Sequence, residues 1–315
     1  MSAIAISADT RSESEPQALG RNASGGILSA IDGSPESLAA VKTAFALASA
    51  RKSAVHIVSV IPAFASYRRA FKADESQSEI NSLRINIREV AVRKVIEKAN
   101  PLCAWTLEIV TGRVAREVVA TAERLHAEMI VIGRRHQNPL DKLLGGETTL
   151  EIVRMTSIPV LAVGDTFLTP TSVVVATDFS AASTRAARLA VQLFGNHGSL
   201  YLVHVDPGLE PELEEYGLRE RRHSPGDFSS LFRKQREEIQ APPDILIENV
   251  TLSGKPAERI LYFARTISAD VVACGPHGRN GLERFLLGSV STALLRNSSC
   301  ALLIAPPDPQ KGDYR

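Results

Sequence analysis

The chain has 315 residues, of which 44% are hydrophobic, and this length suits about two domains of roughly 150 residues each. Its 36 Lys and Arg residues nearly balance its 35 Asp and Glu residues, which argues against a dedicated nucleic-acid-binding protein. No apolar run approaches the roughly 18–20 residues that a membrane span needs, and the chain does not begin with a signal-peptide pattern. The three cysteines lack metal-type spacing, so we expect reduced thiols and a cytoplasmic location.

The sequence contains an internal repeat, which decides how the chain is divided. Residues 112–163 match residues 254–305 without a gap, and two strand-like runs match ahead of them in the same order. We therefore predict a first domain over residues 25–165 and a second over residues 170–306. Residues 1–24, rich in Ser, Ala and Glu, predict a disordered tail, and residues 307–315 predict a polar one.

Taken in chain order, the sequence of each copy predicts five short strands that alternate with helices. The strands are apolar and rich in β-branched residues, which is typical of strands buried on both faces of a parallel sheet. The sequence thus predicts two tandem doubly wound α/β domains, each a mainly parallel five-stranded sheet flanked by helices. The predicted strands are 27–31, 55–61, 105–110, 129–132 and 160–163 in the first copy and 173–176, 200–205, 245–251, 271–274 and 301–304 in the second. The predicted helices are 37–50, 114–125, 183–194, 256–267 and 290–296, with a further short helix before strand 160–163.

A glycine- and serine-rich stretch of the second copy has the residue types of a phosphate site. Gly275 and Gly278 follow the fourth strand and would let the backbone approach a ligand closely. Gly288 and Ser289 open the last helix, where unpaired N–H groups and the helix dipole favour an anion. Side-chain donors come from Ser289, Ser291 and the cation of Arg279. The glycines could also be plain turns, and Ser289 a plain helix cap.

With Asp178 after the first strand and Val205 ending the second, the pattern Gly275-x2-Gly278-x9-Gly288-Ser289 resembles the universal stress protein family. The resemblance covers nearly all of residues 25–306. It implies that Asp178 contacts a nucleoside, that the Val205 backbone meets adenine, and that the glycines and Ser289 hold ribose and phosphates. The implied ligand is an adenine nucleotide, most simply ATP, with any Mg²⁺ held by the phosphates and no metal site in the protein. The predicted binding set is Ala176, Thr177, Asp178, Val205, Gly275, Gly278, Arg279, Gly288, Ser289, Val290 and Ser291.

The first copy departs from this pattern. The residues that match Gly278 and Ser289 are His136 and Glu147. A carboxylate about 4 Å from a phosphate in a half-buried site would repel it by several kcal/mol. Glu147 would instead suit a helix N-terminus, where negative charge is favourable. We therefore expect the first copy to bind no triphosphate, and Asp32, which matches Asp178, to act as a cap.

Three classes of function remain after this reasoning. The first is an ATP-binding regulatory protein of the stress response with an unknown protein partner. The second is a slow ATPase or self-phosphorylating enzyme, but no catalytic residue is indicated, because Thr177-Asp178-Phe179-Ser180 stands where related ATP-using enzymes carry a Ser-Gly-Gly-x-Asp loop. The third is an ATP-independent interaction module. Residues 206–243 are either a solvated loop and helix face or a flap over the second site.

Assembly can also be argued from the last strand of each copy. Each is short, apolar and at the edge of its predicted sheet, and edge strands seek partners. We expect the two to pair within one chain as an internal pseudo-dimer. The sequence leaves a further homodimer open.

Overall fold

The computed structural model describes residues 4–6, 25–34, 37–63, 76–101, 103–134, 141–164, 169–206, 227–277 and 287–307. The chain divides into two compact units, unit 1 (Met1–Leu168) and unit 2 (Thr169–Arg315). Among the described helices, none is long and apolar enough to cross a membrane.

Unit 1 is built around a sheet with the strand order β1-β4-β3-β2-β5-β6. Five of these strands are parallel, and β1 joins β4 antiparallel. The helices cover both faces, since α1 and α2 pack on one another and α3 packs on α4. The strands are β1 (Ile4–Ile6), β2 (Ile27–Ala30), β3 (Val55–Pro62), β4 (Trp105–Gly112), β5 (Met129–Gly133) and β6 (Val160–Val163), and the helices are α1 (Ser37–Arg51), α2 (Ser76–Ala99), α3 (Val114–Arg124) and α4 (Asp141–Met155).

Unit 2 repeats this plan with the strand order β9-β8-β7-β10-β11, and all of these strands are parallel. Helix α5 packs on α6 and on the sheet, and α7 packs on α8. The strands are β7 (Ser172–Ala176), β8 (Gly198–Asp206), β9 (Ile245–Ser253), β10 (Val271–Cys274) and β11 (Ala301–Ile304), and the helices are α5 (Ala181–Val191), α6 (Ser229–Ile239), α7 (Pro256–Thr266) and α8 (Ser289–Asn297).

The core of each unit lies where the central strands meet the helices. Ile27, Leu28 and Ile130 in unit 1 and Val174 and Val272 in unit 2 are completely buried. Strands covered on both faces need apolar side chains at most positions, which is why the sequence shows short apolar runs there. The predicted architecture, two mainly parallel doubly wound sheets flanked by helices, is confirmed, and unit 1 carries one antiparallel strand, β1, in addition to the five parallel ones.

Three features of unit 1 differ from the sequence prediction. Residues 4–6, inside the predicted disordered tail, form strand β1 along the edge of β4. A long helix, α2, occupies the charged segment after β3. Helix α4 begins at Asp141, six residues before the predicted helix start at Glu147. Position 147 therefore lies inside a helix, and a helix-terminal role for it is contradicted.

The direction of winding reverses in unit 2 between β7 and β10. Strand β7 pairs with β8 on one side and with β10 on the other. The chain after β7 crosses one face of the sheet to reach β8, whereas the chain after β10 crosses the opposite face to reach β11. The loops after neighbouring strands then separate and leave a crevice at the carboxyl ends, which is the usual ligand position in open α/β sheets.

Candidate functional site

A cavity of about 250 Å³ lies at this crevice in unit 2. Nine of the eleven predicted binding residues line it; Gly278 and Arg279 lie outside the described residues, as does the rest of segment 278–286. The nine are Ala176, Thr177, Asp178, Val205, Gly275, Gly288, Ser289, Val290 and Ser291. The fold thus brings together residues from the ends of β7, β8 and β10 and from the start of α8.

Asp178 carries the main polar feature of the cavity. Its Oδ1 accepts a hydrogen bond from the Ser180 backbone N–H at 3.1 Å, which shapes the turn into α5. Its Oδ2 is buried and accepts no hydrogen bond from any described residue. An unsatisfied buried acceptor costs about 1–3 kcal/mol, so a ligand hydroxyl or amino group would supply a donor that this oxygen lacks.

The start of α8 supplies backbone donors. Gly288 is the N-cap residue, and no side chain caps the helix. The Gly288 N–H donates to the Pro276 carbonyl oxygen at 2.7 Å, so it is already used. The N–H groups of Ser289, Val290 and Ser291 make no hydrogen bond with the described residues. Three open N–H groups at the positive end of a helix form an anion-binding surface.

Gly275 allows the close packing that joins β10 to the helices. A Cβ at this position would lie 2.8 Å from the Ala182 Cβ, closer than side chains pack. Its carbonyl oxygen accepts a hydrogen bond from the buried Ser291 hydroxyl at 2.7 Å. That hydroxyl is therefore engaged with the protein rather than directed at a ligand, and Ser291 serves to hold the first turn of α8 against β10.

A buried hydrogen-bond network links the Asp178 loop to α6. The Thr177 hydroxyl donates to Gln235 Oε1 at 2.9 Å and accepts from the Phe179 N–H at 2.9 Å. Gln235, only 2% exposed, also donates to the Thr184 hydroxyl at 3.2 Å. Phe179 has φ of 64°, a left-handed conformation that is uncommon for residues other than glycine. The loop that presents Asp178 is thus held from two sides.

An aromatic cluster covers the outside of this loop. The Phe179 ring lies 4.7 Å from the His204 ring and 4.9 Å from the Phe232 ring, measured between centroids. His204 Nδ1 lies 2.9 Å from the Thr177 carbonyl oxygen, so it donates there. Helix α6, the described part of segment 206–243, therefore packs against the site with a buried inner face. Residues 207–226, where a flap was considered, lie outside the described residues.

Seven further residues line the cavity and were not in the predicted set. Burial shifts the pKa of two of them: it raises the pKa of the Cys274 thiol to about 12 and lowers the pKa of the partly buried His277. A neutral His277 suits a loop residue better than a fixed phosphate partner. The repeat alignment with the strand ends could have indicated most of these positions, which are Ser183, Val203, His204, Pro256, Ile260, Cys274 and His277.

The corresponding cavity of unit 1 is larger, about 420 Å³, but Asp32 and Arg88 in its lining already make hydrogen bonds within the protein. Asp32 Oδ1 accepts from the Ser34 N–H at 3.0 Å and from the Ser37 hydroxyl at 2.7 Å. Arg88, the one cation among the described lining residues, donates to the Asp32 carbonyl oxygen. This cavity has the larger volume of the two, but volume alone does not provide the hydrogen-bond donors that a phosphate needs.

The backbone explains the difference between the two cavities. In unit 2 the helix begins at Ser289, whereas in unit 1 helix α4 already runs through the matching position, 147. N–H groups inside a helix are bonded to carbonyl oxygens one turn earlier and are not open to a ligand. His136 lies outside the described residues, so its predicted intrusion stays a prediction.

The fold defines a tandem, doubly wound α/β protein with a crevice at the carboxyl ends of its strands. A model of the universal stress protein family matches residues 25–164 and 170–306, and the chain belongs to this family as a tandem two-domain member. Universal stress protein Rv1996 of Mycobacterium tuberculosis is 26% identical over 307 residues, covering 90% of this chain and 96% of that protein. Universal stress protein MJ0531 of Methanocaldococcus jannaschii is 32% identical over 139 residues, covering 42% of this chain and 79% of that protein.

Solved structures give the same fold. A universal stress protein from Archaeoglobus fulgidus matches with a TM-score of 0.64 at 22% identity, covering 90% of this chain and 98% of that one. At this level of identity the likeness supports the architecture. Within the described residues there is no group of three or more His, Cys, Asp or Glu residues that could hold a metal ion.

Proposed function

We propose that this protein is an ATP-binding regulator of the stress response that holds its nucleotide in unit 2 only. One observation carries the proposal: the open N–H groups at the start of α8 share a cavity with the unsatisfied Oδ2 of Asp178. A ligand that fits both ends carries an anion at one end and hydroxyl or amino donors at the other. A nucleoside phosphate has this chemistry.

Each side chain then has a stated role in binding. Asp178 accepts from a ribose hydroxyl, and the backbone near Val205 meets the adenine ring, as the family resemblance implies. Ser289 and the following N–H groups hold the phosphates, and the sequence predicts that Gly278 and Arg279 contact them as well. Any Mg²⁺ would be bound mainly by the phosphates themselves.

The proposal includes no catalytic residue. Ser180, two residues after Asp178, is the N-cap of α5, and its hydroxyl oxygen accepts from the Ser183 N–H at 3.2 Å. The Ser180 hydroxyl donates to the Ser183 hydroxyl at 3.4 Å, so its proton is directed at another hydroxyl rather than at a general base. A regulatory role through bound nucleotide therefore fits better than turnover. The cytoplasmic location, the internal pseudo-dimer and a homodimer stay predictions.

Calorimetric titration of ATP with Mg²⁺ tests the proposal, after any co-purified nucleotide has been removed by unfolding and refolding. The test variant is Gly278→His with Ser289→Glu, which gives unit 2 the residues of unit 1. The matched control is Glu147→Ser in unit 1. We expect about one ATP per wild-type chain and per control chain, and no heat from the double variant. Two nucleotides per chain, or none, would contradict the proposal.

A further inference from the structure

A second depression, of about 750 Å³, lies on unit 2 between α7 and α8. Three of its lining residues are basic, Lys255, Arg259 and Arg265, and one, Glu258, is acidic. Tyr262 projects from the same face of α7 with 67% of its surface exposed. We call this surface the α7–α8 groove.

The described part of the chain offers no ion-pair partner to the basic side chains of the groove. Among the described residues, no carboxylate lies within ion-pair distance of Lys255, Arg259 or Arg265. Arg259 is held in place because its Nε donates to the Ser253 carbonyl oxygen at 2.7 Å. The groove therefore presents a fixed positive charge beside a large exposed aromatic ring.

The repeat shows that this surface is not a requirement of the fold. In unit 1 the positions of Arg259, Tyr262 and Arg265 are held by Glu117, Ala120 and Glu123. The position of Ala293 is held there by Glu151, which pairs with Arg113 at 2.9 Å. The equivalent helices of unit 1, α3 and α4, thus pack on each other with acidic residues at these positions and without an exposed aromatic.

We propose that the α7–α8 groove is a docking surface for an acidic segment of a partner protein. The segment carries several carboxylates for Arg259, Arg265 and Lys255 and an apolar side chain for Tyr262. Arginine and tyrosine are the residue types that concentrate binding energy at protein interfaces, and aromatic rings combine large contact area with few rotatable bonds. Charge complementarity selects an acidic partner over a neutral one.

Fluorescence anisotropy on the full-length protein tests this inference. The probe is a fluorescein-labelled peptide of glutamate, leucine and tyrosine, and the control peptide has glutamine at every glutamate position. The groove variant is Arg259→Glu, Tyr262→Ala, Arg265→Glu, which copies unit 1. The matched control variant is Arg233→Glu with Arg236→Glu, two exposed arginines of α6 outside the groove.

We expect the acidic peptide to bind the wild-type and control proteins, and binding to weaken about tenfold or more in the groove variant. It should also weaken with added salt, since the charges are exposed. The single variant Arg265→Glu should lose less affinity for the peptide. It should not disturb the fold, because the Arg265 side chain makes no hydrogen bond in the described structure. Circular dichroism and the melting temperature verify that both variants remain folded.

Three results would overturn the inference. One is binding that depends neither on the groove nor on the acidic side chains: the groove variant binds the peptide as tightly as wild type does, or the glutamine peptide binds as tightly as the acidic one. Another is peptide binding that appears only after Glu210, Glu212, Glu214 and Glu215 are changed to Gln, because the chain's own acidic segment would then be the occupant. The third is no peptide binding together with groove-dependent dimerisation in sedimentation velocity, which would assign the groove to a second copy.

Discussion

Replacing Asp178 by Asn should change stability and nucleotide binding in opposite directions. The Asn carbonyl oxygen can still accept from the Ser180 N–H, so the turn into α5 is kept. At the other position a neutral amide replaces the unsatisfied carboxylate oxygen, Oδ2. A buried neutral group without a partner costs less than a buried charged one.

The magnitudes follow from this exchange. Without nucleotide, unit 2 should be unchanged or more stable by about 1 kcal/mol, which raises the melting temperature by about 2–4 °C for a domain of this size. With nucleotide, the loss of a hydrogen bond to a charged group costs about 1.5–3 kcal/mol. That loss corresponds to about 10- to 150-fold weaker binding.

The matched change in unit 1, Asp32→Asn, should lower the stability of unit 1 and leave nucleotide binding as it is. Asp32 Oδ1 accepts from Ser34 and from the Ser37 hydroxyl, so weakening these charge-assisted bonds should cost about 1 kcal/mol. ATP binding should not change. Trp105, the one tryptophan of the chain, lies in β4 and reports the unfolding of unit 1 by fluorescence.

Calorimetry supplies both measurements for Asp178→Asn, by scanning for stability and by titration for ATP. The reasoning is refuted if this variant melts lower than wild type while its affinity for ATP is unchanged. Such a result would mean that Oδ2 already has a partner that stabilises the fold. Asp178 would then be a structural cap like Asp32.

Two further predictions concern titratable groups. Burial lowers the pKa of His56, so the folded state disfavours its protonation. The stability of unit 1 should therefore fall as the pH drops below about 6.5 toward the folded-state pKa. The variant His56→Tyr, which introduces the residue found at the matching position 201, should flatten this dependence in urea titrations followed by Trp105 fluorescence. An unchanged slope would contradict it. Burial raises the pKa of Cys274 to about 12, so at pH 8 only about one thiol in ten thousand is ionised. Iodoacetamide should modify Cys274 only through opening of unit 2, and saturating ATP should slow that reaction without slowing modification of Cys103 in unit 1. Equal protection of both thiols would argue against a site in unit 2 alone.

The sheets were predictable because their strands are buried on both faces. Runs such as 271–274 have to be apolar at every position, and the repeat supplies each run twice. Helix α2 was missed because its apolar residues lie on more than one face of the helix. Ile80, Leu83, Ile87 and Val90 are exposed on one face while Val92 is buried on another, so no single apolar stripe marks the helix.

The candidate site could be predicted only in part. Glycine and serine spacing located the start of α8 because helix starts depend on local residue types. The Thr177–Gln235 hydrogen bond joins residues far apart in sequence, and no spacing rule indicates it. The state of Asp178 Oδ2 depends on side-chain geometry that a sequence does not contain. The early start of α4 was missed because Gly145 and Gly146, which disfavour helix, lie inside it.

The early start of α4 has a consequence for the history of the duplicated chain. Two point changes could restore a glycine at position 136 and a serine at position 147. They would not restore an anion site, because the helix from Asp141 would still have to unwind before its inner N–H groups became open. Point changes alone therefore do not give unit 1 an anion site, and the two copies of the repeat can differ in binding even where their side chains are made alike.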